Sequence, residues 1–249
     1  MKNLTLTIGW LYPELMSTYG DRGNIIAYQK RCEWRGIHIE ILKLNQGFDV
    51  NLLNSCDFLF MGGAQDEQQQ IVAEDLSKKR HLLKQKIEEG VPGLYICGAY
   101  QFLGKYYKEA DGKIIKGLGI LDLHTENPGF DSSRLIGNIL MSTAKGVMLV
   151  GFENHGGRTY LGKNVKPLGT VIEGFGNNGK DATEGVIYKN SFGTYLHGPI
   201  LPKNPGFTDL LIKLTLENKY KLTVNFHTLD DSLEKKAYNA IAKRLKVKL

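Results

Sequence analysis

The sequence predicts an α/β fold, with a mostly parallel sheet flanked by helices and with antiparallel strands in the C-terminal half. In the first 107 residues, strand patterns alternate with helix patterns, which is typical of parallel sheets with crossover helices. Some of these strands are almost continuously apolar, as strands buried on both faces are. After about Tyr107 the strand patterns become short and glycines are frequent, which favours antiparallel hairpins.

The elements of the first half follow from their periodicity and their end signals. A long loop at 12–24, rich in Gly, Pro and polar residues, separates the first strand from the first helix. Gly62-Gly63 follows the third strand, and Gly90 and Pro92 end the second helix. In order, the predicted elements are a strand at 4–10, a helix at 25–36, strands at 37–44 and 56–61, a helix at 66–89 and a strand at 91–96.

The second half is predicted to add hairpins that are attached to, or extend, the same sheet. Gly198-Pro199 breaks its last strand pattern. The predicted strands are 134–141, 147–152, 185–189 and 191–197, followed by helices at 206–218 and about 231–248. We find no repeat and no linker, so we predict a single domain over 1–249, to which the last helix could be an appendage.

Composition narrows the class of protein. With 42% hydrophobic and 23% charged residues, the chain resembles soluble globular proteins, and no apolar run approaches the roughly 20 residues that span a bilayer. The N-terminus does not resemble a signal peptide, so we expect a cytoplasmic location. Three cysteines without CxxC spacing argue against disulfides and zinc. The net charge of +6 comes from scattered lysines, which favour a solvated surface over nucleic-acid binding.

Cys97 is the first candidate for chemistry. A buried strand runs directly into it, Gly98 and Ala99 follow, and a helix pattern then begins. A cysteine on such a turn projects from the carboxyl edge of the sheet, beside a helix N-terminus that favours the thiolate. The alternative is that Cys97 is only a small buried apolar residue.

Two further features are expected at the same sheet edge. One is the glycine-rich loop that contains Gly63, and the other is His197 at the end of a later strand. A cysteine, a histidine and backbone donors for an oxyanion are the groups that thiol-based acyl transfer requires. We therefore predict Cys97 and His197 as catalytic residues, with the N–H groups of Gly63 and Gly98 as the oxyanion hole.

These features resemble those of class I (triad-type) glutamine amidotransferases, and within them the cobyric-acid-synthase-like group. The resemblance extends to about Pro205 and includes amidotransferase subunits that act on lipid II together with a partner. It implies a flavodoxin-like fold. It rests on the sequences at 12–25, 61–68, 97–101, 151–159 and 193–199.

The resemblance also implies a reaction. Cys97 would attack the side-chain amide of L-glutamine, release ammonia and leave a glutamyl thioester for water to hydrolyse. The ammonia would pass to a Mur-ligase-like synthetase subunit, which binds ATP and magnesium and amidates the D-glutamate of lipid II to D-isoglutamine; this chain would need no cofactor. Arg134 resembles the family's glutamine-binding arginine, with Arg158 and Arg22 as competitors, and Gln101 resembles a substrate-contacting glutamine.

Several questions stay open on the sequence alone. Many triad enzymes have a glutamate two residues after the histidine, where this chain has Pro199. The orienting carboxylate must therefore come from elsewhere in the chain, come from the partner, or be absent. The alternative functions are an amidotransferase subunit for a corrinoid substrate, or an inactive amidotransferase-like scaffold.

Overall fold

The computed structural model describes residues 4–64 and 66–245, with residues 66 and 67 described by their backbone alone. Its strands are β1 (Thr5–Leu11), β2 (His38–Leu44), β3 (Phe58–Met61), β4 (Gly93–Ile96), β5 (Tyr106–Lys108), β6 (Ile114–Lys116), β7 (Leu123–Glu126), β8 (Leu135–Thr143), β9 (Met148–His155), β10 (Arg158–Leu161), β11 (Gly169–Glu173), β12 (Thr183–Glu184), β13 (Val186–Tyr188) and β14 (Ser191–Thr194). Its α-helices are α1 (Arg22–Glu33), α2 (Asp66–Lys78), α3 (Arg80–Glu88), α4 (Gly98–Leu103), α5 (Pro205–Tyr220) and α6 (Ser232–Arg244).

A six-stranded sheet forms the centre of the molecule. Its strand order is β2-β1-β3-β4-β14-β13, and every neighbouring pair except β13 and β14 is parallel. Each residue of β3 and β4 is buried, as the apolar runs predict. The predicted α/β fold with a mostly parallel sheet is therefore confirmed. The carboxyl ends of β3, β4 and β14 lie side by side, and ligands of such sheets bind at this edge.

The remaining strands form two separate four-stranded sheets. One has the order β10-β7-β5-β6 and the other the order β12-β11-β8-β9. All of their pairs are antiparallel except β5 with β7. Among β5–β14, only β13 and β14 belong to the central sheet, so most of the C-terminal strands form sheets of their own and do not continue it.

The helix predicted over 66–89 is divided into α2 and α3. Lys79, between them, has φ −101° and ψ 0°, outside the helical range. Its ammonium pairs with Asp75 at 2.6 Å and lies 4.7 Å from the centre of the Phe48 ring. This pair has the i, i+4 spacing of an unbroken helix, so it does not itself cause the break. The hydrophobic periodicity predicts the helical content of this segment but not the break at Lys79.

Ion pairs join the C-terminal helices to α1. The buried Arg31 guanidinium of α1 donates to Asp209 of α5 at 2.7 and 2.8 Å, and to Asp231 at the start of α6 at 2.6 Å. Residues 246–248 of the predicted last helix lie outside the described residues. Among the residues that are described, no helix is long and apolar enough to cross a membrane.

Candidate active site

Cys97 lies on a strained turn between β4 and α4. Its backbone has φ 53° and ψ −115°, which residues with a side chain rarely adopt. The Cys97 N–H donates to the Thr194 carbonyl at 2.8 Å, and the Cys97 carbonyl accepts from Tyr100 N–H at 3.1 Å. The turn is thus held on both sides while the thiol stands at the end of β4. This is the strand–turn–helix geometry that exposes a nucleophile.

His197 follows β14, the strand next to β4. Its backbone exchanges two hydrogen bonds with Phe152 of β9, with N–O distances of 2.7 and 3.2 Å. Just upstream, the Thr194 hydroxyl and the Tyr195 N–H donate to the buried Glu184 carboxyl at 2.6 and 2.8 Å. Burial raises the pKa of Glu184 to about 7. These bonds fix the backbone that carries the imidazole.

Asp21 supplies the carboxylate whose source the sequence leaves open. Its Oδ1 lies 3.2 Å from His197 Nδ1, and neither side chain is exposed to solvent. Its Oδ2 accepts the Gly63 N–H at 2.7 Å. A carboxylate on Nδ1 fixes the imidazole so that Nε2 faces away from it, toward a nucleophile. Of the three possibilities, a carboxylate from elsewhere in the chain is the one that the structure contains.

Close packing brings the Asp21 loop to the histidine. Gly62 lies against the carbonyl oxygen of Met16, where any Cβ would collide with that oxygen. Gly23, in the first turn of α1, packs in the same way on the Pro199 ring. Pro199, at the position where many triad enzymes have a glutamate, therefore packs on Gly23, two residues after Asp21.

His197 favours its charged form in this setting. Burial alone would lower the pKa of His197, but the hydrogen bond to Asp21 and the electrostatic interactions with Asp21 and Cys97 outweigh burial and raise the pKa to about 10. Nε2 is buried without a hydrogen-bond partner among the described residues. The electrostatics suit an imidazolium that faces a thiolate, the pair that a cysteine hydrolase uses to begin its reaction.

This raised pKa predicts a specific pH dependence of stability. In the imidazolium–thiolate pair the His197 proton is the one that the Cys97 thiol has given up, so the folded and unfolded chains hold the same number of protons here between pH 6.5 and the ordinary cysteine pKa of about 8.5. Between about pH 8.5 and about 10 the folded pair holds one proton that the unfolded chain has released, so its contribution to the free energy of unfolding is lost as pH rises through this range, by up to about 1.4 kcal/mol per pH unit. Denaturant unfolding at several pH values should show a steeper loss for the wild type than for His197→Gln. Parallel losses would contradict the assignment.

Lys203 contacts the backbone at and just after His197. Its ammonium donates to the carbonyl oxygens of Gly198 and His197, the latter at 3.4 Å. Burial lowers the pKa of Lys203 to about 8, against the opposing charge of Asp21. Lys203 is present in both the wild type and His197→Gln. Its titration therefore changes the free energy of unfolding of both chains alike and cancels in the difference between them.

A cavity of about 270 Å³ opens in front of Cys97. Tyr19 stands at its edge, half exposed, with its ring 4.9 Å from the His197 ring centre. The cavity is lined by Thr18, Tyr19, Ala64, Gln69, Cys97, Gln101, Tyr107, Arg134, Asn154, His155, Gly156 and Gly157. No group of His, Cys, Asp and Glu suited to a metal ion occurs in the described part of the chain.

Arg134 and Gln101 both line this cavity, whereas Arg22 and Arg158 do not. Arg134 donates through Nε to Asn154 Oδ1 at 2.9 Å and through Nη2 to the Asn154 carbonyl at 3.0 Å. Gln101 is buried, and its amide donates to the Tyr195 hydroxyl at 2.7 Å. Both predicted substrate-binding residues thus adjoin the space in front of the thiol.

The predicted oxyanion hole needs one correction. Gly63 N–H already donates to Asp21, so it does not point at a reacting carbonyl. Ala64, the next residue, lines the cavity, and its nitrogen would lie 3.7 Å from a Cβ built on Gly98. Neither Ala64 N–H nor Gly98 N–H has a hydrogen-bond partner among the described backbone groups. These two N–H groups are the better pair for an oxyanion.

Comparison with known proteins agrees with this geometry. The model of the CobB/CobQ-like glutamine amidotransferase domain matches residues 7–205, a span that includes Asp21, Cys97 and His197. The chain belongs to this family. The membership predicted from the sequence motifs is therefore confirmed, and the chain is a glutamine amidotransferase.

Two curated relatives cover most of the amidotransferase. The Staphylococcus aureus (strain N315) "Lipid II isoglutaminyl synthase (glutamine-hydrolyzing) subunit GatD" is 45% identical over 214 residues, which is 86% of each chain. The subunit of the same name from Streptococcus pneumoniae (strain ATCC BAA-255 / R6) is 42% identical over 231 residues, 92% of this chain and 87% of its own. A solved glutamine amidotransferase structure has a TM-score of 0.56 at 14% identity, with 84% and 98% coverage, which supports the fold alone.

Proposed function

We propose that the chain is the glutaminase subunit of a lipid II isoglutaminyl synthase. The observation that carries the chemistry is the buried Asp21–His197 pair next to Cys97, which lines the cavity. A Cβ built on Gly63 would lie 2.9 Å from His197 Cε1 and 3.4 Å from Cys97 Cβ, so the imidazole and the cysteine are neighbours. The choice of acceptor is supported by the two relatives of that name, which match this chain over most of their lengths.

In the proposed first step, the Cys97 thiolate attacks the side-chain carbonyl carbon of L-glutamine. The N–H groups of Gly98 and Ala64 stabilise the negative charge that develops on the carbonyl oxygen. The C–N bond then breaks, and the imidazolium of His197 gives its proton to the departing nitrogen, so that ammonia leaves. The glutamyl group remains on the sulfur as a thioester.

In the second step, water hydrolyses the thioester. His197, now neutral, takes a proton from the attacking water, and the C–S bond breaks to give glutamate and the thiolate. Asp21 keeps the imidazole oriented through both steps. This sequence of steps needs no cofactor in this chain, and ATP and magnesium belong to the synthetase partner, where the ammonia would be used.

Arg134 is proposed to bind the α-carboxylate of glutamine. A guanidinium offers parallel donors that a lysine ammonium cannot reproduce. Arg134→Lys should therefore raise KM for glutamine about ten- to a hundredfold with little change in kcat, as measured by glutamate formation. Arg22→Lys, at an exposed arginine outside the cavity lining, serves as the control. An unchanged KM in Arg134→Lys would assign the carboxylate to another group.

The proposed function is tested by following the amide nitrogen. The full chain is mixed with a Mur-ligase-like synthetase from the same genome, ATP, lipid II and L-glutamine labelled with ¹⁵N in the side-chain amide. We expect the label in the D-isoglutamine of lipid II. Glutamine hydrolysis without label in lipid II, under conditions where free ammonium is incorporated, would contradict the assigned acceptor. It would favour another acid substrate, such as a corrinoid.

A further inference from the structure

The glutamine cavity contains a buried acceptor that the proposed reaction does not use. His155 is 2% exposed and lines the same cavity as Cys97 and Arg134. Its Nε2 has no hydrogen-bond partner among the described residues. Buried polar atoms in proteins are nearly always paired, so an unpaired one on a residue that lines a binding cavity points to a ligand.

We propose that His155 Nε2 accepts a hydrogen bond from the α-ammonium of L-glutamine and thereby selects α-amino acids. This inference rests on the proposed glutaminase function. It assigns a specificity role to His155.

The tautomer of His155 follows from its contacts. Nδ1 lies 2.8 Å from the Gly157 carbonyl oxygen, which can only accept, so Nδ1 carries a hydrogen. Burial lowers the pKa of His155, despite opposing interactions with Glu153 and the Gly157 carbonyl. The ring is therefore neutral near pH 7, and Nε2 presents a lone pair. Such an atom requires a donor.

The surroundings favour a charged donor. The Glu153 carboxylate lies 3.8 Å from His155 Nε2 and is wholly buried. Its oxygens accept the N–H groups of Phe175 and Gly176 at 2.7 and 2.9 Å, which fix it in place. A carboxylate next to a lone pair creates a negative potential that attracts a cation. An ammonium is the one cation that glutamine carries.

The position of His155 also matches the α-carbon end of the substrate. The Arg134 guanidinium lies next to Gly156, the residue after His155, because a Cβ built on Gly156 would be 3.4 Å from Arg134 Nη1, and both Arg134 and His155 line the cavity. Arg134 is the proposed partner of the α-carboxylate, and the ammonium shares the same carbon atom. The amide end must lie at Cys97, so the ammonium is the donor of glutamine nearest to the Arg134 end.

The imidazole is held ready for this contact. It stacks on the Tyr195 ring with centroids 3.4 Å apart and 3° between the planes. The Tyr195 hydroxyl is in turn bonded to Gln101 and Thr159 at 2.7 Å each. A group that is already oriented loses little entropy on binding, which increases its contribution to affinity.

The test compares L-glutamine with glutaramate, which is glutamine without its α-ammonium. Affinities are measured by calorimetry with the full chain carrying Cys97→Ala, which prevents turnover. This reference should bind L-glutamine about ten- to a hundredfold more tightly than glutaramate, the range for a hydrogen bond to a charged group. Adding His155→Phe, which keeps a ring on Tyr195, should remove most of that preference and change glutaramate affinity less than threefold. His155→Gln, which keeps an acceptor, should restore part of the preference.

The outcomes separate this inference from the proposed function. An equal loss of both affinities in the His155→Phe chain would make His155 structural, and unchanged affinities would place the ammonium elsewhere; either result overturns the inference and leaves glutamine hydrolysis intact. If the reference chain binds no L-glutamine, both proposals fail. If it binds with the expected selectivity but the wild type and its partner hydrolyse none, only the proposed function fails.

Discussion

Asp21→Asn is expected to lower kcat for glutamine hydrolysis by about two to four orders of magnitude while the chain stays folded. Asparagine matches aspartate in shape, and its oxygen can still accept the Gly63 N–H. Its NH₂ group would then face His197 Nδ1, which Asp21 Oδ1 approaches to 3.2 Å. Nδ1 would have to accept and Nε2 would carry the hydrogen, so the neutral ring could no longer take a proton from Cys97.

This prediction has a matched control. Asp57 also accepts a backbone N–H, from Thr7 at 2.8 Å, and an ammonium, from Lys219 at 2.8 Å, but it lies outside the cavity lining. Asp57→Asn should leave kcat within about threefold of the wild type. Full activity of Asp21→Asn would mean that His197 needs no orienting carboxylate. Activity of that variant in the complex but not in the isolated chain would assign the carboxylate to the partner.

Cys97→Ala should reduce glutamine hydrolysis by about four to six orders of magnitude, because no thioester can form. The other two cysteines provide the control. Cys32 and Cys56 are also buried. Burial, the largest influence on both thiols, raises the pKa of Cys32 well above its usual range and the pKa of Cys56 to about 12. Alanine at either position should cost stability but preserve kcat within about threefold. Thermal unfolding and steady-state glutamate release measure the two effects separately.

Comparable losses of activity at all three cysteines would show that the Cys97 effect is structural. A Cys97→Ala chain that retains glutaminase activity would exclude covalent catalysis at this position. Either outcome would favour a different nucleophile.

The features that the sequence predicts well are local. The apolar runs of β3 and β4 and the small residues after Cys97 determine where a buried strand must turn into a helix. His197 is recognisable because a forced break at Gly198-Pro199 follows a strand pattern. Parallel strands then bring both side chains to one edge of the sheet, so their proximity follows from topology.

Asp21 is not predictable in this way. It is 176 positions from His197, in a loop without periodicity, and no spacing connects the two residues. Its place depends on close approaches such as that of Gly23 to the Pro199 ring, which are properties of packing in three dimensions. The 12–24 loop is conspicuous in the sequence for its Gly, Pro and polar content, and this is the signal that could have pointed to it.

The Gly63 assignment fails for a related reason. A glycine pair after a strand indicates that backbone N–H groups are accessible, but it does not indicate where each N–H points. Asp21 accepts the Gly63 N–H, and Ala64, the next residue along the loop, lines the cavity. The direction of a donor in an irregular loop depends on the loop's own partners.

The most direct test of the account is covalent labelling of the full chain with 6-diazo-5-oxo-L-norleucine, an electrophilic mimic of glutamine, followed by peptide mapping. The account predicts a single adduct on Cys97 that forms more slowly in the presence of L-glutamine and in His197→Gln. No adduct, or an adduct on Cys32 or Cys56 that L-glutamine does not slow, would contradict it.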